Sequence, residues 1–302
     1  MKAMLVSQYG GPEVLKFGDC PDPSPGPDEV LVRVAATSVN PFDLKQRSGE
    51  AKAFAPISFP GILGLDVSGT VIGCGRDVKG FSAGDHVFGM AVQTYAELCV
   101  VKAEGLAKIP AGLDLVEAAA LPVITTTGYQ LITNGANVQR GQSVLVTGAV
   151  GNVGRVAVFT AKSRGARVMA GVRKKQLEQA AALGADAVVA VDDQEAIASL
   201  QMLDAVADTV NGSTAESLIS KVKAGGIFAS VLGTPQNSGD FPSVKVIPVF
   251  ARADGKALLE MARAVVEGKL TIPIAAKKPL KDAAEAHDLV AKGVNGKVLL
   301  LP

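Results

Sequence analysis

A run of closely spaced glycines near the middle of the chain is the segment best suited to chemistry with a phosphorylated ligand. The run reads Gly148-Ala149-Val150-Gly151-Asn152-Val153-Gly154 and follows the apolar, β-branched segment Ser143–Thr147. A segment of helical composition, residues 155–164, comes next. A strand, a glycine turn and a helix in this order are the context of a dinucleotide-binding fingerprint. We therefore predict a site where backbone amides and the helix dipole bind a diphosphate.

Individual positions of this turn have separate roles in the prediction. Gly151 lets the backbone approach the diphosphate, and Gly154 permits close packing of the helix on the strand. Ala149 stands where the six-residue pattern has its first glycine, so the fingerprint is imperfect. The predicted diphosphate-binding residues are Ala149, Val150, Gly151, Asn152, Val153 and Gly154.

The segment after the second predicted strand indicates which coenzyme is bound. An NAD-specific unit places Asp or Glu about 20 residues past the turn, where it binds the ribose hydroxyls. Here that position falls on Gly171, and the cations Arg173 and Lys174 follow it. Two cations attract a 2′-phosphate. We predict NADPH as the cofactor, with Gly171, Arg173 and Lys174 at its adenosine end; a solvated basic helix start is the alternative.

The elements that must position these residues alternate in type from residue 143 onward. Strands are predicted to begin near Ser143, Arg167, Ala187, Ala205, Gly226 and Val244. Helices are predicted at 152–164, 174–183 and 215–222. Strands that alternate with helices at this spacing predict a doubly wound parallel sheet.

The flanking parts of the chain have a different pattern. Residues 1–112 contain many short strands separated by Gly and Pro, which favours a small barrel-like β domain. After residue 251 the regular alternation ends. The elements predicted there are a helix at 256–267, a strand at 271–275, a helix at 281–291 and a strand at 297–301.

Composition excludes several classes of function. The 302 residues are enough for two domains. A net charge of +1, 4% aromatic residues and no Trp argue against nucleic-acid binding. No segment approaches the roughly 20 apolar residues of a membrane helix. Three widely spaced cysteines without metal-ligand spacing indicate a reducing compartment, which we predict to be the cytoplasm. His86 and His287 are interpreted as structural, His287 on a surface helix.

Seven segments, spread over both predicted domains, match a known family together. They are 10–15, 38–43, 62–69, 84–87, 118–122, 125–127 and the glycine turn. With these segments the chain resembles the medium-chain dehydrogenase/reductase superfamily, in its zinc-independent quinone oxidoreductase (zeta-crystallin-like) branch. The resemblance implies an α/β fold, in which a doubly wound Rossmann domain is joined to a GroES-like β-barrel catalytic domain. It implies that residues 1–122 and 251–302 form the split GroES-like domain and 123–250 the Rossmann cofactor-binding domain.

The resemblance also implies a cleft between the domains that holds NADPH and substrate. It places Thr127 beside the cofactor, Asn40 and Asp43 on the cleft wall, and Leu232 and Gly233 against the nicotinamide. These positions make Asn40, Asp43 and Thr127 the expected catalytic residues. Asn40 would donate a hydrogen bond to a developing oxyanion. Asp43 has an alternative reading as a helix N-cap or turn residue.

Two departures from the family pattern bear on metal and cofactor. Zinc-dependent relatives carry a Cys near Asn40 and a His-Glu pair where this chain has Leu65 and Asp66. A catalytic zinc needs three protein ligands, so no metal is predicted. NADPH-binding members often carry a lysine and a tyrosine where Leu177 and Val191 stand, which leaves the 2′-phosphate to Arg173 and Lys174.

The expected function is zinc-independent transfer of a hydride from NADPH to a quinone or an α,β-unsaturated carbonyl. One alternative is the reduction of another activated alkene, such as a haloacrylate or an enoyl thioester. A second is a non-catalytic NADPH- or RNA-binding protein of the crystallin type. A homodimer is expected, and the apolar run 244–250 is either an exposed sheet edge that pairs across it or a buried last strand.

Overall fold

All 302 residues, Met1–Pro302, are described by a computed structural model. The chain divides into two units. The first unit contains Met1–Val123 and Ala253–Pro302, and the second unit contains Ile124–Arg252. None of the helices combines the length and the apolar character that spanning a bilayer requires.

The strands of both units have from two to eleven residues. In chain order they are β1 (Lys2–Val6), β2 (Leu15–Asp19), β3 (Glu29–Val39), β4 (Gly61–Ile62), β5 (Asp66–Cys74), β6 (His86–Met90), β7 (Leu98–Lys102), β8 (Leu106–Lys108), β9 (Ser143–Thr147), β10 (Arg167–Val172), β11 (Ala187–Ala190), β12 (Leu203–Asp208), β13 (Val222–Ser230), β14 (Lys245–Pro248), β15 (Ile274–Pro279) and β16 (Lys297–Leu301).

The α-helices lie mostly in the connections between these strands. They are α1 (Pro41–Ser48), α2 (Pro122–Gln130), α3 (Asn152–Ser163), α4 (Leu177–Ala181), α5 (Gln194–Ala198), α6 (Gly212–Ile219), α7 (Gly255–Val266) and α8 (Ala283–Ala291).

The second unit is built on one six-stranded sheet with the order β11-β10-β9-β12-β13-β14. All five strand pairs in it are parallel, so the predicted doubly wound sheet is confirmed. The central strand β9 is buried along most of its length, as its continuous run of Val, Leu and Val requires. The order reverses beside β9, and the carboxyl ends of the parallel strands there form the usual place for a ligand.

One predicted helix boundary in this unit is wrong. The helix expected at 215–222 is α6, which begins at Gly212 and ends at Ile219. Val222 instead begins β13 and pairs with Leu203 of β12. The apolar side chain of Val222 fits the buried face of a strand as well as that of a helix, so periodicity alone does not separate the two.

The first unit contains a seven-stranded, largely antiparallel sheet and a separate three-stranded sheet. The long strand β3 pairs with β7 through Glu29–Arg33, with β5 through Val30–Ala36 and with β16 through its last three residues. In the pairing with β16, Leu300 lies opposite Thr37. The C-terminal segment therefore completes a sheet that the N-terminal segment begins.

A buried chain of polar side chains links α1 to α8 in the first unit. Arg47 of α1 donates through Nη1 to His287 Nδ1 of α8, over 3.1 Å. Since that ring nitrogen accepts, the proton of the neutral ring is on Nε2, which lies 3.1 Å from the Tyr95 hydroxyl oxygen. The Tyr95 hydroxyl in turn donates to Asp43 Oδ2 over 3.1 Å. His287 is fully buried, so its predicted place on a surface helix is wrong.

Burial shifts the pKa values of His287 and Asp43, two members of this chain, in opposite senses. It lowers the pKa of His287 to about 3, with a further lowering by the Arg47 charge. It raises the pKa of Asp43 to about 7, although the Asn40 backbone N–H, the Lys297 charge and the Tyr95 hydroxyl act against it and the Asp66 charge acts with it. Both groups are therefore favoured in their neutral forms over much of the acid range.

We expect the substitution His287→Gln to cost less stability at acid pH than at neutral pH. The unfolded chain protonates His287 below pH 6.5, whereas the folded chain does so only near pH 3. Wild-type stability therefore falls as the pH falls from 6.5 towards 3, and the variant lacks this loss. In urea unfolding, the difference between the two proteins should shrink by up to about 1.4 kcal/mol per pH unit over this window. The control is His86→Gln at the exposed histidine, and a His287→Gln difference that is constant with pH contradicts the assignment.

Candidate active site

The glycine turn between β9 and α3 has the geometry of a phosphate-binding loop. Gly148 adopts a positive φ of 60°, which a residue with a Cβ rarely adopts. Gly151 donates its N–H back to the Gly148 carbonyl over 2.8 Å and is the N-cap of α3. At Gly154 an added Cβ would lie 2.1 Å from the Gly148 carbonyl oxygen, so only glycine fits. The first turn of α3 is thus in direct contact with the backbone of the turn.

Donor groups for an anion are concentrated at the start of α3. The first intrahelical bond of this helix is made by Arg155, whose N–H donates to the Gly151 carbonyl over 2.9 Å. The N–H groups of Asn152, Val153 and Gly154 precede it and have no intrahelical acceptor. The Arg155 side chain folds back, and its Nε donates to the Val150 carbonyl over 2.9 Å. A half-buried guanidinium therefore lies at the same turn.

Three further residues predicted to bind cofactor lie around this turn. The side chains of Ala149 and Val150 are buried in the core of the second unit, so only their backbone is available to a ligand. Gly171 lies inside β10, and its carbonyl accepts the Ala149 N–H over 3.2 Å. It is buried between Leu145 and Val191. Its backbone is thus hydrogen-bonded to the glycine turn, and its place at the adenosine end of the cofactor stays a prediction.

Thr127 lies on α2 and precedes Gly128, the residue at which α2 contacts α3. An added Cβ at Gly128 would lie 2.7 Å from the Val153 carbonyl oxygen and 2.6 Å from the Val156 Cβ. Close packing at Gly128 fixes α2 against the first turns of α3. The half-buried Thr127 is therefore held beside the helix that starts at the glycine turn.

Charged residues that follow β10 and β11, and are distant in sequence, lie together at the ends of these two strands. Arg173 is exposed, and its N–H and Nε each lie 3.3 Å from Gln176 Oε1. The Lys174 N–H donates to Asp192 Oδ1 over 2.8 Å, and its ammonium lies 3.9 Å from Asp193 Oδ2. Parallel strands bring their carboxyl ends together, and so Asp192 and Asp193 lie beside Lys174 although they follow another strand. The chain from Gly171 to Lys174 contains no carboxylate, and the fold brings two from the end of the next strand beside Lys174.

A shallow cavity of about 450 Å³ lies at this edge and has mostly acidic walls. It is lined by Lys174, Asp192, Asp193, Gln194 and Glu195. Asp193 also caps α5, because its Oδ1 accepts the N–H groups of Glu195 and Ala196. Arg173 is thus the cation of the pair that keeps its charge free of a carboxylate partner.

Leu232 and Gly233 follow the end of β13 at the same edge of the sheet. Leu232 donates its N–H to Ser230 Oγ over 3.1 Å and accepts a bond from Asn211 Nδ2 over 3.2 Å. Its side chain is 43% exposed. Gly233 has a φ of 108°, in the region that favours glycine. Both residues lie where parallel strands of such sheets present loops to a ligand.

In the first unit, Asn40 is the centre of a buried charged cluster. Its Nδ2 donates to Asp66 Oδ2 over 2.7 Å, and its Oδ1 accepts from Lys297 Nζ over 2.7 Å. Lys297 also lies 3.3 Å from the same Asp66 oxygen, and Ser38 donates its hydroxyl to it. The other oxygen of Asp66 accepts the Val123 N–H over 2.7 Å. These partners fix which way the Asn40 carboxamide points.

Asp43, expected on the cleft wall, lies in the first turn of α1. It is fully buried, and its Oδ2 accepts the backbone N–H of Asn40 over 2.7 Å at the start of α1. Its Oδ1 is buried without a hydrogen-bond partner. These contacts are those of a residue at a helix N-terminus, the alternative interpretation of Asp43.

The donor set around Asn40 does not fit a catalytic metal. Across the chain, no group of three or more His, Cys, Asp or Glu side chains is arranged to hold a metal ion. The positive charge beside Asp66 is the Lys297 ammonium, which is 2% exposed.

Sequence reasoning missed two residues at the edge of the parallel sheet. Asp208 ends β12 fully buried, and Arg155 lies in the first turn of α3. A single carboxylate at the end of an apolar strand has no motif spacing by which to recognise it. The folding back of Arg155 towards the turn depends on its rotamer, which the sequence does not show.

Comparison with known proteins shows which family this chain resembles. Residues 26–111 match the family model of the alcohol dehydrogenase GroES-like domain, and residues 183–300 match that of the zinc-binding dehydrogenases. The chloroplast envelope quinone oxidoreductase homolog of Arabidopsis thaliana is 32% identical, over 98% of this chain and 95% of its own length. The 2-methylene-furan-3-one reductase of Solanum lycopersicum is 29% identical, over 100% of this chain and 79% of its own length.

A solved structure shows the same likeness over the whole fold. The Escherichia coli quinone oxidoreductase complexed with NADPH has a TM-score of 0.86 to this chain at 26% identity, and the match covers 100% of both chains. The expected combination of a Rossmann-like sheet with a GroES-like domain is thereby confirmed. The chain belongs to the medium-chain dehydrogenase/reductase superfamily, in its quinone oxidoreductase branch, and is an oxidoreductase.

Proposed function

We propose that this protein is an NADPH-dependent reductase that delivers a hydride to a quinone or to the β-carbon of an α,β-unsaturated carbonyl, without zinc. The glycine turn carries this proposal, because its close backbone approach at Gly154 and its row of N–H donors suit a diphosphate. The names of two relatives, a quinone oxidoreductase homolog and a furanone reductase, support the two substrate classes.

The residues of the chain fit a dinucleotide along one edge of the parallel sheet. We assign the diphosphate to the turn from Ala149 to Gly154, with Thr127 beside it. Arg173 and Lys174 are assigned to the adenosine end, and Leu232 and Gly233 to the nicotinamide end. When bound, the nicotinamide supplies the hydride.

The charge that develops on the substrate needs a hydrogen-bond donor. Asn40 is the proposed donor, since a carboxamide nitrogen carries two hydrogens and only one is directed to Asp66. Lys297 strengthens this donor, because its ammonium holds the Asn40 carbonyl oxygen and polarises the amide. The acceptor is already polarised in a quinone or an enone, so positioning of the reactants supplies much of the catalysis.

Arg173 carries the preference for the 2′-phosphate in this proposal. Lys174 has Asp193 near its ammonium and Asp192 on its backbone, whereas Arg173 is bonded only to the neutral Gln176. An uncompensated guanidinium binds phosphate with paired, charge-assisted hydrogen bonds. Arg155 is assigned to the diphosphate, which both coenzymes share.

We expect Arg173→Ala to weaken NADPH binding by roughly ten- to a hundredfold, the loss of one charge-assisted hydrogen bond of about 1.5–3 kcal/mol. NADH binding should change little, because NADH lacks the 2′-phosphate. Fluorescence titration of both coenzymes measures this. Arg155→Ala is the matched control and should weaken both coenzymes by a similar factor. Equal losses for the two coenzymes in Arg173→Ala contradict its assignment to the 2′-phosphate.

The reaction itself is tested by following NADPH absorbance with benzoquinone and with a medium-chain enal. We expect turnover with at least one of them, and an unchanged rate after treatment with a metal chelator. Asn40→Ala should lower kcat by about 10²-fold, the usual effect of removing one oxyanion donor, while NADPH affinity is retained. Tight NADPH binding without turnover on either substrate supports a non-catalytic binding protein instead.

We also propose that the protein is a homodimer that pairs through β14. This strand is the last in the sheet order, so one of its edges has no neighbour within the chain. Ile247, within β14, is 36% exposed, and Phe250, two residues after its end, is 75% exposed. Exposed apolar side chains at such an edge suit pairing with a second copy. The three free cysteines Cys20, Cys74 and Cys99 are in keeping with a reducing compartment such as the cytoplasm.

The dimer is tested by sedimentation equilibrium of Phe250→Asp together with Ile247→Asp. We expect the wild type to be dimeric and the double variant to be monomeric, because two charges oppose burial of this edge. Phe17→Asp, at another exposed aromatic residue, is the control and should remain dimeric. A monomeric wild type, or a dimer that survives the double substitution, contradicts this interface.

A further inference from the structure

A fully buried carboxylate lies at the carboxyl end of the parallel sheet, below the loops assigned to the cofactor. Asp208 is the last residue of β12 and has no exposed surface. Its Oδ1 accepts the Thr147 hydroxyl over 2.8 Å, and its Oδ2 accepts the Ser230 hydroxyl over 2.8 Å. Thr147 and Ser230 end the two neighbouring strands, β9 and β13. One carboxylate therefore connects the ends of three adjacent strands.

The same carboxylate holds the loop that follows it. The Val210 N–H donates to Oδ1 over 3.1 Å, and the Asn211 N–H lies 3.2 Å from both oxygens. Asn211 has a φ of 62° and a ψ of −165°, a backbone conformation that residues with a Cβ rarely adopt. Such conformations persist where the surroundings determine them and are concentrated at functional sites. Its two bonds to Asp208 and its Nδ2 bond to the Leu232 carbonyl supply that restraint.

The two hydroxyls that donate to Asp208 also accept hydrogen bonds, one from the same loop and one from the loop at Leu232. Because the Thr147 hydroxyl donates to Asp208, its oxygen is free to accept the Thr209 N–H over 2.8 Å. Because the Ser230 hydroxyl donates to Asp208, its oxygen accepts the Leu232 N–H over 3.1 Å. Each hydroxyl has one hydrogen, so its orientation is set by the carboxylate.

The loop that follows Asp208, which includes Thr209 and Val210, is in contact with the glycine turn. An added Cβ at Gly148 would lie 2.5 Å from Thr209 Oγ1 and 3.2 Å from Val210 Cγ2. The Thr209 hydroxyl donates to the Thr147 carbonyl, immediately before Gly148, over 2.7 Å. A displacement of this loop would therefore displace the turn.

We propose that Asp208 is a positioning residue for the coenzyme: it holds the glycine turn, the loop at Val210–Asn211 and the loop at Leu232–Gly233 in the arrangement that receives a nicotinamide dinucleotide. This inference rests on the proposed function. Every group within hydrogen-bond distance of Asp208 is a donor, and a carboxylate is the side chain that accepts on both oxygens. An amide at this position sets an NH₂ group against the Asn211 N–H in either orientation.

Asp208→Asn tests the proposal, and Asp204→Asn is its matched control. Asp204 lies on the same strand β12 and accepts the N–H and hydroxyl of Ser143 on β9, both over 2.8 Å, but at the amino end of the sheet. Both substitutions replace a carboxylate that joins β9 to β12. Only Asp208→Asn acts at the end where the loops lie.

We expect the Kd for NADPH to rise at least tenfold in Asp208→Asn, with a similar rise for NADH, and less than twofold in Asp204→Asn. Amide hydrogen exchange should accelerate at residues 209–211 and 232–233 in Asp208→Asn alone. Ser230→Ala is a milder change that removes the hydroxyl linking Asp208 to Leu232. It should raise the Kd for NADPH at least threefold, and it replaces Asp208→Asn as the test if that variant does not fold.

The outcomes separate this inference from the proposed function. A wild-type protein that fails to bind NADPH overturns both. Normal binding by the wild type together with an unchanged Kd in Asp208→Asn, or in Ser230→Ala if that variant is needed, overturns the inference alone. An Asp204→Asn variant that loses as much affinity as Asp208→Asn also overturns it, because the effect is then a general consequence of weakening the sheet.

Discussion

Direct contact between two pieces of backbone is the constraint on which the site of the second unit depends. The Gly154 Cα lies so close to the Gly148 carbonyl that a side chain has no space there. This contact brings the start of α3 against the end of β9, so the N–H groups of the first helical turn, which have no intrahelical acceptor, lie beside the turn. Gly128 meets the Val153 carbonyl in the same way and brings α2 and Thr127 to this helix. Three elements thus converge because small residues replace side-chain packing by backbone contact.

Each unit also has a fully buried carboxylate that joins several strands, and the two have different partners. Asp66 has an ammonium partner in Lys297, and the group includes Asn40, Ser38 and the Val123 N–H. Asp208 has only hydroxyl and amide donors around it. A buried charge is tolerated when its partners satisfy it, and removing one partner is strongly destabilising. Both carboxylates therefore fix the relative positions of strand ends that are distant in sequence.

Much of the fold follows from local patterns, and the residues where prediction failed show what those patterns lack. Ser143–Thr147 and the start of α3 at Asn152 are confirmed to the residue, because a buried strand, a glycine turn and a helix each have a strong local signature. The predicted end of α6 was wrong, because Val222 was assigned to the helix and instead begins β13; its side chain suits either element. The surroundings of a residue were harder to predict than its secondary structure. Asp192 and Asp193 lie beside Lys174, and His287 is buried against Tyr95, through pairings that only the tertiary fold creates.

The central claim is that the diphosphate of a nicotinamide dinucleotide is bound by the amides that follow Val150. A crystal structure of the protein soaked with NADPH measures this most directly. The account predicts diphosphate oxygens within about 3.2 Å of the backbone nitrogens of Asn152, Val153 or Gly154, the range of ordinary N–H···O hydrogen bonds. A dinucleotide whose diphosphate lies away from this turn, or a crystal that takes up no dinucleotide with the turn open to solvent, would contradict it.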